Sequence, residues 1–314
     1  MKWFNKNKKN HDSTSIDFKD SQAMTIKTPK FLKFRLIEIP ISAFLVALSL
    51  IVGAIVKFTP LRFLGLNSDI ELVFYTLMGF FLNLFPAMIA AFVSDFISVL
   101  YTGGLGTYFW TYALVPPLAA ACSYLFFRLI RSKFTNLKLI LPNLIILVAS
   151  VVMIAVVQVK ISETKVDSGS LSVRLIEGRN NPLRFLNNVP FVVFYSLITI
   201  LILLNFFSWA LTGYYYIFRE QKSLLTLNSF TVLVFILLVF RWIWGPIAFI
   251  EYFNAYIAKS NNVKSYGKDY LIIMVPIVIK SLFSLALFTP ILISMIVPFE
   301  WLYKRYLQNK YSIY

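Results

Sequence analysis

"LFPAMIAAFVSDFISVLYTGGLGTYFW", residues 84–110, sets the reading of the whole chain. From 84 to 102 the segment is apolar save for a few small polar side chains and one carboxylate, Asp95. That length suits a membrane-crossing helix, which needs about 17–25 such residues. The run breaks on Thr102-Gly103-Gly104 and reopens with Tyr108, Phe109 and Trp110, the head of a second apolar run over 107–131. The pattern predicts two antiparallel spans joined by a glycine loop. Glycine permits close backbone approach and positive φ there. The aromatics have two readings, an interfacial belt or a stacking surface. Asp95 is different, because a carboxylate at this depth is expensive and normally faces a cavity or a partner.

Outward from this pair the pattern repeats. Apolar runs at 37–58, 70–82, 84–102, 107–131, 138–158, 189–218, 227–257 and 271–300 predict an all-α, polytopic integral membrane protein with eight spans. The run at 70–82 is too short to cross alone unless it tilts or continues into its neighbour. With 59% hydrophobic residues among 314, the apolar share far exceeds that of a soluble domain. The only sizeable polar segment between spans is 159–188, whose alternation at Leu171, Val173 and Leu175 suggests a small hairpin or cap.

The net charge of +16 points to membrane topology and anionic lipid rather than to nucleic acid. Segments on the side of residues 1–36 carry eighteen Lys and Arg, against ten on the other side. The bias predicts a multi-pass protein of the cell membrane with both termini cytoplasmic, and 1–36 as a basic tail. That tail is polar without an early apolar core, so no cleavable signal peptide is expected. Cys122 is the only cysteine and His11 the only histidine, so a disulfide within the chain, a His-based metal site and a Ser-His-Asp triad are not expected. No G-x-x-x-x-G-K-[ST] phosphate loop and no H-E-x-x-H occurs; any active uptake draws on an ion gradient or a partner ATPase.

Three further charges fall inside apolar runs: Arg241, Glu251 and Lys280. Asp95, Glu251 and Lys280 are placed to share an outer-half chamber, or to form a structural ion pair with no ligand. Arg241 is read as serving the inner half. Pro116-Pro117, Gly245-Pro246, Pro276 and Pro290 interrupt spans. Such breaks are ordinary kinks in many helices and cavity walls in transporters. In "SAFLVALSLIVGA", Ala43 and Ala47 are four apart and Ala54 shares their face, a smooth stripe on which another helix can sit closely.

Together these residues resemble the substrate-binding S component of energy-coupling factor (ECF) vitamin transporters. The Ala43/Ala47 stripe looks like the family's Ala-x-x-x-Ala docking surface. "SDIELVFYTLMGFFLNLFPAMIAAFVSDFISVLYTGGLGTYFW" is similar to its short second helix, small-residue third helix, aspartate, Thr-Gly loop and Tyr-Phe pair, most of all in the folate-type branch. "RWIWGPIAFIEYF" and "VPIVIKSLF" resemble that branch's closing segments. The likeness covers 37–131 and 227–305; the block 138–218 looks like an insertion into a six-helix bundle.

The resemblance implies a transporter subunit, not an enzyme, with no cofactor. It would bind a vitamin, folate foremost and riboflavin or another small metabolite as alternatives. Its implied substrate residues are Asp95, Thr102, Gly103, Gly104, Tyr108, Phe109, Trp110, Trp244, Glu251 and Lys280. Ala43, Ala47 and Ala54 would meet a transmembrane coupling subunit that works with two ATPase subunits. Two readings of other classes stay open, a stand-alone ion-coupled carrier and a lipid-acting membrane enzyme.

Overall fold

The computed structural model describes residues 38–58, 67–101, 108–130, 135–167, 189–219, 221–258, 263–266 and 268–303. Among them the chain is helical with no strand: α1 (Glu38–Phe58), α2 (Asn67–Phe81), α3 (Leu84–Tyr101), α4 (Trp110–Ala113), α5 (Val115–Ile130), α6 (Thr135–Asp167), α7 (Val189–Phe218), α8 (Gln221–Ile236), a π-helical turn (Leu237–Ile243), α9 (Trp244–Tyr256) and α10 (Lys268–Tyr303). Among the described residues, seven stretches are long and apolar enough to cross a membrane, and Ile70–Phe81 forms a shorter apolar helix. The bundle is thus a polytopic membrane architecture.

The short second run is the axis of the bundle. Its 15 residues rise only about 22 Å, less than a hydrocarbon core of about 30 Å. It tolerates this because it hardly meets lipid: Leu72 to Phe80 are all buried, behind α1, α3, α5, α8 and α10. Leu82 and Asn83 turn it directly into α3. Hydrogen bonds fix the directions. Ser98 Oγ donates to Glu71 Oε1 at 3.0 Å and Tyr75 Oη to Asp95 Oδ1 at 3.3 Å, so α2 and α3 are antiparallel. Asn83 bonds Glu38, and Ser94 Oγ donates to Ser49 Oγ at 3.1 Å, so α1 and α3 are parallel.

Where α2 meets α5, small residues remove the distance between backbones. A Cβ built on Gly79 would lie 2.4 Å from the Ala120 carbonyl oxygen and 2.8 Å from the Tyr124 nitrogen. Ala119 and Ala120 are fully buried, and Ser123 Oγ donates to the Thr76 carbonyl at 2.8 Å. The expected fourth span breaks at Leu114, and Pro116-Pro117 fall in the first turn of α5, where a missing N–H costs little.

In the block 138–218, α6 and α7 pack as an antiparallel pair. Helix α6 runs on to Asp167, so the start of the polar linker is helical; the alternating residues Leu171, Val173 and Leu175 lie outside the described residues. The two helices are joined by polar side chains. Ser208 Oγ donates to Asn143 Oδ1 at 2.7 Å, Asn143 Nδ2 to Thr212 Oγ1 at 2.8 Å, and Asn205 Nδ2 to Ser150 Oγ at 2.9 Å. Lipid offers these groups no partners, so they seek each other across the helix pair. The pair packs mainly on α8. The outward face of α7, with Ile202, Leu203 and Phe206, is apolar and exposed, as a lipid-facing surface must be.

Candidate functional site

Three charged side chains converge on one half-open cavity of about 120 Å³, near the end of the bundle where α3 finishes and α4 begins. Glu71, Leu72 and Tyr75 line it from α2, Asp95 from α3, Tyr112 from α4, and Val115 and Pro116 from α5. Phe240 and Arg241 come from the π turn, Trp244 and Gly245 from α9. That volume holds several waters, or one polar ring of a larger solute.

Local sequence explains each placement. Glu71 and Tyr75 are four apart on α2 and share a face. Asp95 and Ser98, three apart on α3, oppose them through the hydrogen bonds given above. Tyr108 Oη donates to the other Asp95 oxygen, Oδ2, at 3.1 Å. Asp95 therefore accepts from two tyrosines on separate segments and joins α2 to the chain entering α4. Trp244 Nε1 donates to the Thr111 carbonyl at 2.9 Å, closing the opposite wall. The Thr111 hydroxyl itself is buried without a hydrogen-bond partner among the described residues.

Arg241 reaches the cavity because its helix is locally expanded. The Trp244 N–H bonds the Val239 carbonyl five residues back, the wider repeat that marks π turns, which are frequent at functional sites. Pro246 has no N–H to offer Trp242. Tyr270 of α10 fills the gap: its buried hydroxyl is shared between the Trp242 and Ile243 carbonyls at 3.2 and 3.3 Å. Tyr270→Phe should strand these buried carbonyls and lower stability by about 1–3 kcal/mol. Thermal unfolding in detergent reads this out; an unchanged midpoint would remove Tyr270 from the support of the π turn.

Sequence-predicted residues fall in several separate places. Asp95 and Trp244 line the cavity, and Tyr108 binds Asp95 at its edge. Phe109 packs edge-on to Tyr256, with ring centroids 5.8 Å apart, and against Tyr252. Trp110 is 58% exposed and turned outward, in the manner of an interfacial belt. Thr102, Gly103 and Gly104 lie outside the described residues. Glu251 does not join Asp95 at the cavity; it accepts a 3.3 Å hydrogen bond from Tyr266, whose hydroxyl is held above its ordinary pKa by desolvation and then by Glu251. Lys280 is exposed on α10 and lines no part of the cavity. Ala43 and Ala47 are exposed on α1, and Ala54 is half-buried.

Arg241 departs from its inner-half reading: it sits on the same cavity wall system as Asp95. Glu71, Tyr75 and Tyr112 were not singled out by sequence. The signal for the first two was present, a carboxylate and a phenol four apart in an apolar run. No group of three or more potential metal-ligating His, Cys, Asp or Glu side chains occurs among the described residues. The chain matches no protein-family model, no curated protein and no solved structure.

Proposed function

We propose that the chain is a membrane-embedded, substrate-binding S component of an ECF-type vitamin transporter, taking up a folate-like solute. The observation that carries this reading is that Asp95 and Trp244 line one cavity while Tyr108 donates to Asp95, since these three come from the segments that carry the resemblance. A carboxylate beside aromatic walls suits a flat heterocycle with N–H donors. The Lys/Arg bias supports a cell-membrane protein with cytoplasmic termini.

In this reading the chain binds, and a separate transmembrane coupling subunit with two ATPases moves the solute. Exposed Ala43 and Ala47 on α1 would meet that subunit. One uptake assay tests both points. Vesicles holding the chain with its energising module should take up solute only with ATP. Ala47→Trp should abolish uptake and co-purification of the coupling subunit, yet leave solute affinity within about threefold, well under 1 kcal/mol. Small molecules that co-purify with the chain, identified by mass spectrometry, supply the solute for the titration.

A second reading has its own observation. Glu71, Asp95 and Arg241 on one cavity form a set that can carry a proton or cation in a stand-alone carrier. Sustained uptake by the purified chain alone, driven by an ion gradient, would favour it and sink the S-component reading.

A further inference from the structure

The outward face of α10 is apolar with one charge in its middle. Pro276, Ile279, Phe283, Leu287 and Pro290 recur at three- and four-residue steps and are all exposed, Phe283 to 71%. Lys280 is exposed among them, and its ammonium has no hydrogen-bond or ion-pair partner among the described residues. Asp269 marks the polar start of α10, where it accepts a hydrogen bond from the Ser265 N–H at 2.8 Å. From there Lys280 lies eleven residues, or about 16 Å, along the helix. That is near the middle of a hydrocarbon core of about 30 Å. A lysine stem extends only roughly 6 Å toward an interface, so its charge falls short of the lipid headgroups on either side.

A bare ammonium facing hydrocarbon is costly, and intramembrane charges are normally paired. We infer that the α10 face docks a transmembrane helix of a different protein, one that carries a carboxylate at mid-depth opposite Lys280. A second copy in the same orientation fits poorly, because it would set Lys280 against Lys280. Of that copy's carboxylates within spans, Glu71 and Asp95 line its own cavity and Glu251 accepts from its own Tyr266. The inference rests on the membrane-spanning fold alone and stands whatever solute the cavity takes.

The test uses the full chain, fluorescently labelled and reconstituted in phosphatidylcholine vesicles. Synthetic Leu/Ala transmembrane helices carry Glu, Gln or Lys at their centre, and association is read by energy transfer. The Glu helix should bind roughly five- to thirtyfold more tightly than the Gln helix, and the Lys helix should not bind. Lys280→Leu should erase the difference, and Lys280→Glu should pass the preference to the Lys helix. Equal binding of all three helices, or a Glu preference that survives Lys280→Leu, overturns the inference. A melting shift on adding phosphatidylglycerol that depends on Lys280, with no response to the Glu helix, would assign the charge to lipid and overturn it as well. So would a loss of solute affinity in Lys280→Leu with helix binding intact, which would assign the lysine to the solute site.

Discussion

Gly79→Ala is expected to lower stability by about 1–3 kcal/mol, and Gly79→Leu to prevent accumulation of folded protein, since overpacking a close contact forces backbone shifts. The added Cβ would sit 2.4 Å from the Ala120 carbonyl oxygen, 2.6 Å from the Ser123 Cβ and 2.8 Å from the Tyr124 nitrogen. None of these is the yielding end of a long side chain. Two helix axes must separate, and α2 is also packed against α1, α3, α8 and α10. Separation would weaken the Ser123–Thr76 hydrogen bond across the same contact. Gly213→Ala is the matched control: it too lies in a helix, α7, but a Cβ there meets nothing within 4 Å. Thermal unfolding of both variants in one detergent decides the matter. If Gly79→Ala melts with the wild type, or if both variants lose equally, the close α2–α5 approach is not what holds the axis in place.

That contact also shows where sequence reading stops. Apolar length announces a span, so the long helices fell close to their expected places. Which neighbour a span touches depends on small residues whose meaning appears only with the partner: Gly79 matters because Ala119, Ala120 and Ser123 lie opposite it. The same holds for the site. Asp95, Tyr108 and Trp244 stood out as polar or aromatic interruptions in ordered motifs. Glu71 did not, because it sits near the head of a run that looked too short to cross, and its partner Ser98 is far off in sequence. Arg241 was visible but misplaced. Gly245-Pro246 signalled a break, yet the break is expressed upstream as a π turn, stabilised by Tyr270 from another helix. A register change of that kind depends on a tertiary hydrogen bond and leaves no period in the sequence.

Asp95→Asn is expected to weaken solute binding about 10- to 150-fold, which corresponds to losing a charge-assisted hydrogen bond of about 1.5–3 kcal/mol. The substitution keeps the shape of the side chain. Tyr75 and Tyr108 can still donate to the amide oxygen, and a rotated hydroxyl can accept from the amide nitrogen. What disappears is the negative charge facing a cavity that also holds Glu71 and Arg241. Two accounts of that charge differ in what they predict. If it binds solute, affinity falls while the melting point of the solute-free protein changes little. Tyr108→Phe, which removes one donor to Asp95 but keeps the ring, should then cost less affinity than Asp95→Asn. If instead the charge joins helices by balancing Arg241, Asp95→Asn should lower the melting point and Arg241→Gln should lower it too. The double variant should then recover part of the loss, because neither charge is left buried without its opposite. Solute titration beside a melting curve for each of the four variants separates these accounts. Unchanged affinity with a lowered midpoint in Asp95→Asn would mean that the aspartate fastens α2, α3 and the π turn together, and that the solute, if it enters this cavity, is held by other groups.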